Sequence, residues 1–261
     1  MAGLHAEVQP PLTFWMGINI IRRRLAFGGD MANKFIRQFI VPQFWKKFCI
    51  MIGGIFFMGF FLSFLIEIKW GTDPYTFQNT IISGRIGWQF GTWQLVLNLA
   101  MLVVMVIINW RLIGLGTIAN MVLIGYISDF FRWVWAKTFP AFTTICSAPE
   151  MLWAKILMFT AAILLFVISA AFYINAEMGL SPYDGIATII GEKLKKIPKA
   201  VSRMCYDLFV IVVGLLSSIG SGIDIATSLV GSIVMALTLG PAIQLVGRFV
   251  RKRILKIEEK K

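Results

Sequence analysis

The chain has 261 residues, 58% of them hydrophobic, and a mean hydropathy of +0.78. A soluble globular domain is only about 45–50% apolar by a broader count, so this composition excludes a soluble domain and predicts a polytopic membrane protein. The formal net charge of +12 is also typical of nucleic-acid-binding domains. Here, however, the basic residues flank long apolar segments, so no nucleic-acid partner is expected.

A basic tail, which we assign to residues 1–47, opens the chain. Between Phe14 and Trp45 it mixes apolar and basic residues. This mixture suits a helix lying on anionic lipid, or alternatively an arm that docks a partner.

Six apolar segments follow, each long enough to cross the ~30 Å hydrocarbon core of a bilayer as a helix. The predicted spans are Phe48–Ile68, Phe90–Trp110, Ile118–Trp135, Leu152–Ile174, Val201–Ile219 and Ile225–Val246. The predicted fold class is therefore all-α, and a second basic tail, residues 248–261, closes the chain.

The lysine and arginine residues predict the orientation of these spans. Twenty of the 25 lie in the two tails and in the even-numbered connections, which share one side of the membrane. Because cytoplasmic loops carry the excess of basic residues, both termini are expected in the cytoplasm. The loop 136–151 is then extracytoplasmic.

A short phrase occurs twice. Gly71-Thr72-Asp73-Pro74-Tyr75 recurs 108 residues later as Gly179-Leu180-Ser181-Pro182-Tyr183. Three predicted spans lie between the copies, so the second copy is upside down relative to the first. The sequence therefore predicts two inverted three-helix repeats, residues 48–135 and 152–247. Many transport folds have this organisation and bind their solute where the repeats meet.

Each copy of the phrase predicts the start of a helix. Asp73 and Ser181 are favoured N-cap residues, and each precedes a proline, which suits the first helical position. We therefore expect two short amphipathic helices, Thr76–Ile86 and Tyr183–Leu194, and lysines at the end of the second place it at the cytoplasmic surface. Such helix N-termini attract anionic or carbonyl groups. The alternative is that the motif only makes a tight turn.

Two pairs of polar residues lie inside predicted spans. Gln94 and Asn98 are four residues apart in the second span, and Arg203 and Asp207 are four apart in the fifth, so each pair shares one helix face. An Arg or Asp at the centre of a span costs about 2.5–3.5 kcal/mol and usually faces a partner or a water cavity. The alternatives are an ion pair near the interface for Arg203 and Asp207, and interhelical hydrogen bonds for Gln94 and Asn98.

These features define the candidate residues for binding a solute. They are Asp73, Tyr75, Asn79, Gln94, Asn98, Ser181, Tyr183, Asp184, Arg203 and Asp207. Asp129, in the third span, is either a carboxylate that takes up a proton for coupling or a partner for Arg132.

Nothing in the sequence predicts catalysis. The only histidine is His5, and there is no zinc-ligand spacing, nucleophile motif or phosphate-binding loop. We therefore expect neither an enzyme nor a metal or cofactor.

Four stretches resemble a known group of proteins. They are Gly179-Leu180-Ser181-Pro182-Tyr183-Asp184, Phe90-Gly91-Thr92-Trp93, Gly114-Leu115-Gly116-Thr117 and Gly240-Pro241. With them the chain resembles the YczE/YitT group of uncharacterised bacterial membrane proteins over residues 50–135 and 152–247. The first copy of the repeat departs from the usual Ser-Pro by having Asp73-Pro74, which keeps the cap and adds a charge. The resemblance implies a bacterial inner-membrane protein and carries no activity.

The leading hypothesis is a small secondary transporter or permease, with its site at the interface of the two repeats. Arg203 favours an anionic or zwitterionic solute. The alternatives are a passive channel, a solute-binding membrane subunit of a larger energised transporter, and a membrane scaffold or regulator without a solute. The expected partners are the solute, the bilayer with anionic lipid at the basic tails, and a second copy or an energising protein.

Overall fold

The computed structural model describes residues 43–142 and 151–255, together with residues 29–30, 33–34 and 38–39. Most of the predicted tail 1–47, residues 143–150 of the predicted loop and residues 256–261 of the second tail lie outside the described residues. All regular structure in the described part of the chain is helical, which confirms the all-α class.

Eight α-helices carry the fold in the described residues. They are α1 (Phe44–Ile68), α2 (Pro74–Ile86), α3 (Phe90–Asn109), α4 (Leu115–Thr138), α5 (Leu152–Asn175), α6 (Pro182–Lys193), α7 (Lys199–Ser218) and α8 (Ala226–Phe249). A 3₁₀ turn, Trp110–Leu112, follows α3, and a π-helical turn, Val250–Leu255, follows α8. The six long helices coincide with the six predicted spans.

Not all the long helices are equally apolar. In the described part of the chain, five are long and apolar enough to cross a membrane, namely α1, α3, α5, α7 and α8. The helix α4 has 24 residues but includes Asp129, Arg132 and Lys137. Its length therefore suits a span, whereas its composition is more polar than that of the other five.

The outward-facing sides of the long helices are apolar. The exposed residues there include Val103, Ile107, Leu157, Leu164, Leu216 and Val230. A broad exposed apolar surface marks a face that contacts other apolar matter. This surface, together with the length of the helices, is consistent with a multi-pass membrane protein.

The two short helices begin inside the helix bundle. All of Pro74–Asn79 in α2 is buried, so the predicted amphipathic pattern is wrong for this half of the helix. In α6, Pro182 and Tyr183 are buried, while Lys193 is exposed. The first turn of α6 is therefore buried in the bundle and its last turn is exposed, while the position of α6 at the cytoplasmic surface stays a prediction. The lysines identify only the end of α6 that reaches water.

Each short helix packs chiefly against a long helix that is distant in the sequence. α2 lies along α7, and α6 lies along α3. Phe77 and Ile81 of α2 form a buried apolar cluster with Ile211 of α7 and Ala236 of α8. This exchange brings the N-terminal ends of α2 and α6 together at the centre of the bundle.

Glycine allows the close contact between α3 and α4. A Cβ atom on Gly125 would lie 2.7 Å from the Cα of Gly91, which is too short for any side chain. Small residues permit such approach between helix backbones. The contact fixes the position of α3, which carries Gln94 and Asn98.

Candidate functional site

The turns that precede α2 and α6 follow the same backbone path. Gly71 and Gly179 have φ values of 134° and 114°, in the region that favours glycine. An added Cβ would lie 2.5 Å from the carbonyl carbon of Gly231 in the first turn, and 2.6 Å from the nitrogen of Gly114 in the second. Each glycine is therefore needed for its backbone conformation and for a close contact.

Both helices begin with a capped turn at their buried end. Asp73 and Ser181 have φ/ψ values of −57°/154° and −57°/153°, and a proline follows each. Asp73 Oδ1 accepts a hydrogen bond from the Thr76 amide at 3.1 Å, and Ser181 Oγ accepts one from the Asp184 amide at 3.1 Å. The predicted N-caps are therefore confirmed.

The tyrosines of the two copies stack on each other. The ring centroids of Tyr75 and Tyr183 are 4.7 Å apart, and the rings are inclined by 27°. The Tyr75 hydroxyl donates to Asn98 Oδ1 at 2.7 Å, and the Tyr183 hydroxyl donates to Asp207 Oδ1 at 2.5 Å. The repeated phrase thus joins α2 to α3 and α6 to α7, and its two copies meet face to face.

Arg203 connects the carboxylates of the second half. Its guanidinium lies 2.8 Å from Asp184 Oδ1 and 3.1 Å from Asp207 Oδ1. It also lies 5.2 Å from the centroid of the Tyr183 ring, within the range of a cation–π contact. The ion pair between Arg203 and Asp207, one of the alternatives from the sequence, is present. The contact with Asp184 comes from the adjacent short helix.

A cavity of about 70 Å³ lies between the two capped turns. Seven of the ten candidate solute-binding residues line it, namely Asp73, Tyr75, Gln94, Ser181, Tyr183, Asp184 and Arg203. The volume accommodates a few water molecules or a small polar group. It is far below the roughly 300–1,000 Å³ of sites that hold drug-sized ligands.

The other three candidate residues lie next to this cavity and do not line it. Asn98 and Asp207 hold the two tyrosine hydroxyls. Asn79 lies one helical turn after Tyr75 and is fully buried. Among the described residues, neither atom of its carboxamide has a hydrogen-bond partner.

Two further polar atoms on the cavity wall are buried without a partner. Asp73 Oδ2 and Gln94 Oε1 accept no hydrogen bond from any group that the structure describes. Asp73 is 9% exposed and Gln94 is 3% exposed. Because buried polar atoms are nearly always hydrogen-bonded, these two mark where a donor from a water molecule or a ligand would bind.

Burial also changes the acidity of Asp73. Loss of solvent raises the pKa of its carboxyl group above the ordinary value, and the nearby carboxylates of Asp207 and Asp184 raise it further. The hydrogen bonds from Thr76 act in the opposite direction and are outweighed. The first turn therefore holds a carboxylate in surroundings that disfavour its charge.

The sequence analysis missed several residues of the cavity wall. Asn120 of α4 and Tyr173 of α5 line it, and the Tyr173 hydroxyl donates to the carbonyl of Gly179 at 3.2 Å. Asn120 could have been identified as a polar residue in an otherwise apolar stretch. Tyr173 gives no comparable signal, because tyrosine near the end of a span is usually an interfacial residue.

Asp129 lies outside the central cavity. Its carboxylate accepts a hydrogen bond from the Gly91 amide, at the N-terminus of α3, at 2.7 Å. It also lies 3.4 Å from Arg132, which contacts Glu67 at 2.7 Å. The contact with Arg132, one of the two roles considered for Asp129, is present, and uptake of a proton for coupling stays a prediction.

Comparison with known proteins agrees with this architecture. Residues 45–248 match the family of unknown function DUF6198. The chain is 22% identical over 214 residues to the uncharacterized membrane protein YczE of Bacillus subtilis (strain 168), a match that spans 81% of this chain and 94% of the relative. No solved structure matches the chain. The resemblance to YczE-like membrane proteins is thus confirmed, and the chain belongs to the DUF6198 family.

Proposed function

We propose that the chain is a small secondary transporter with six spans, built as two inverted halves around one solute site. The first half comprises α1 to α4, and the second comprises α5 to α8. The chain lies in a bacterial inner membrane. Both termini are on the cytoplasmic side, as the distribution of basic residues favours.

The repeated backbone supports the division into two halves. Lys69 and Glu177, 108 residues apart, are both non-glycine residues with positive φ, 58° and 57°. Such a conformation is uncommon outside glycine, and it recurs at the same position before each capped turn. The two halves therefore share a backbone conformation outside the residues of the repeated phrase.

The number of intervening helices supports inversion of the halves. Three long helices, α3, α4 and α5, separate α2 from α6, so the two turns have opposite orientations if all three cross the bilayer. The helix α4 is about 36 Å long at 1.5 Å per residue, which is enough to cross. Its charged residues Asp129 and Arg132 are paired with each other, which lowers the cost of placing them near a membrane face.

The cavity between the capped turns is the observation that carries the proposed transport function. Transporters with inverted repeats bind their solutes near the membrane midplane, at helix termini contributed by both repeats. Here the N-termini of two short helices meet, and side chains from both halves line the space between them. The unpartnered polar atoms on the cavity wall are places where a polar solute can bind.

The charges favour a zwitterionic solute over an anionic one. Asp73, Asp184 and Asp207 contribute three carboxylates, whereas Arg203 contributes one guanidinium. Arg203 is already paired with two of these carboxylates, so it attracts a free anion weakly. The solute therefore carries a positive group in addition to any negative one.

Each half has a contact between polar groups shortly before its capped turn, and these two contacts can act as gates. Arg132 contacts Glu67 at 2.7 Å near the end of α1, and Arg251 contacts Asn175 at 2.6 Å near the end of α5. In an inverted arrangement these contacts lie near opposite faces of the membrane. Breaking one while keeping the other would open the central site to one side.

Partners follow from the same arrangement. The basic tails bind anionic lipid of the inner leaflet, which attracts lysine and arginine next to the membrane. Homo-oligomerisation or docking of an energising protein remains compatible with a central site in one chain.

The experiment is uptake into liposomes that contain the purified protein. The liposomes are incubated with an equimolar mixture of amino acids, small amines and organic acids, with a proton gradient of either direction, and their contents are measured by mass spectrometry. We expect at least one component to accumulate above the level in protein-free liposomes. Uptake should be lost in the double variant Arg203→Gln/Asp207→Asn, whose melting curve in detergent is recorded to establish that the variant is folded.

The outcomes separate the alternatives. Uptake that saturates with concentration supports a carrier, whereas flux that rises linearly supports a passive channel. Uptake that the double variant retains would remove the central site from the mechanism. No accumulation of any component would contradict transport by the isolated chain and favour a subunit or a scaffold.

A further inference from the structure

The two halves can be compared position by position at the central cavity. Tyr75 bonds to Asn98 as Tyr183 bonds to Asp207, so Asn98 and Asp207 are equivalent. The residue four positions before each is Gln94 in α3 and Arg203 in α7. The first half therefore has neutral amides where the second half has an ion pair.

The N-cap positions differ in the opposite sense. The first half has a carboxylate, Asp73, where the second half has the hydroxyl of Ser181, and both accept a 3.1 Å hydrogen bond in the same backbone conformation. A serine would therefore cap α2 as it caps α6. The hydrogen bond of the cap therefore does not require the charge of Asp73.

The carboxylate of Asp73 forms no ion pair with any described residue. The second half places Arg203 2.8 Å from Asp184, whereas the equivalent position in the first half is Gln94. Asp73 Oδ2 and Gln94 Oε1 are both buried and both lack a donor among the described residues. An isolated buried carboxylate is costly unless it is paired or protonated. The first half thus has two unpartnered acceptor oxygens here and no cation paired with the Asp73 carboxylate in the described part of the chain.

We propose that the transported solute carries an ammonium group, and that this group binds beside Asp73 and Gln94, at the place that corresponds to the guanidinium of Arg203 in the second half. This inference rests on the proposed function and adds the chemical group that carries the positive charge and the place where it binds. An ammonium ion donates up to three hydrogen bonds and accepts none, which suits the two unpartnered oxygens. The cavity of about 70 Å³ is large enough for a small polar group such as an ammonium.

The test measures thermal shifts of the purified full-length protein in detergent with four probes of similar size. Propylamine is a cation, β-alanine a zwitterion, propionate an anion and propionamide a neutral amide. A library of small amines, amino acids, carboxylates and amides extends each class. We expect dose-dependent stabilisation by compounds with an ammonium group, and none by those without one.

Three variants locate the binding group. Asp73→Asn keeps an N-cap residue and removes the charge, and Asp73→Ser installs the cap that the second half already uses. Both should weaken the response to ammonium compounds about tenfold or more, as expected for losing a hydrogen bond to a charged group. Asp224→Asn is the matched control, because Asp224 is exposed and accepts a hydrogen bond from the Ala226 amide at 3.0 Å. It should leave the response unchanged.

Each outcome bears on one claim. Stabilisation only by anions or neutral amides overturns the ammonium inference and leaves the proposed transporter with a different solute class. A response to ammonium compounds that survives in both Asp73 variants overturns the location. Absence of any response in all four classes counts against the proposed function itself.

Discussion

Asp73 has two separate roles that the structure assigns to two different oxygens. One oxygen caps α2, and the other lies at the cavity without a partner in the described structure. The sequence predicted the cap and the added charge, because Asp before Pro is a local pattern. It did not predict the unpartnered oxygen, because this depends on residue 94, which is distant in the chain and is Gln instead of Arg.

The raised pKa of Asp73 predicts how stability depends on pH. The folded state holds this proton more tightly than the unfolded state, where the pKa is about 3.9. As pH rises above about 4, the unfolded state loses the proton first, so the folded state loses stability. Asp73→Asn removes this loss. We therefore expect the melting temperature of the variant, relative to the unaltered protein, to increase from pH 4 to pH 7.

Melting curves in detergent at several pH values measure this difference. Asp224→Asn controls for the removal of one negative charge from the protein. The opposite result is a melting temperature of Asp73→Asn, relative to the unaltered protein, that stays constant or falls as pH rises. That result would contradict the claim that burial disfavours the charged carboxylate of Asp73.

The helices show which parts of the fold are encoded by local sequence patterns. The predicted spans and the two short helices after Pro-containing turns coincide with observed helices, because apolar length and N-cap residues are properties of short segments. The packing of α2 on α7 and of α6 on α3 was not predicted, since hydropathy does not state which helix lies opposite. The burial of the first turn of α6 was not predicted for the same reason, because its lysines indicate only the exposed end of the helix.

The difference between α3 and α7 predicts an energetic coupling. Arg203→Gln leaves Asp184 and Asp207 without their cation, and breaking such a buried pair costs about 3–5 kcal/mol. Adding Asp207→Asn removes one unpaired charge and keeps an oxygen for the Tyr183 hydroxyl, as Asn98 does for Tyr75. The double variant should therefore be more stable than Arg203→Gln alone.

A double-mutant cycle of unfolding free energies measures this coupling. We expect the two substitutions to be non-additive by about 1 kcal/mol or more, with the second partly restoring the stability lost in the first. Additive losses would show that Arg203 and Asp207 act independently, against the observed 3.1 Å contact.

The whole molecule is best explained by two halves that exchange their short helices. The stacked Tyr75 and Tyr183, the matched backbone before each turn and the cavity between the capped ends all follow from this single arrangement. The proposed transport, the proposed ammonium site and the proposed gating contacts all depend on the halves having opposite orientations in the membrane. Inversion of the halves is therefore the central claim.

Cysteine labelling in cells tests that claim most directly. Trp88 follows α2 and Lys196 follows α6, they are 108 residues apart, and both are exposed. With the native cysteines replaced by serine, Trp88→Cys and Lys196→Cys are treated with a membrane-impermeant maleimide, before and after permeabilisation. We predict that Trp88→Cys reacts in intact cells and that Lys196→Cys reacts only after permeabilisation. Labelling of both from the same side would contradict the inverted arrangement.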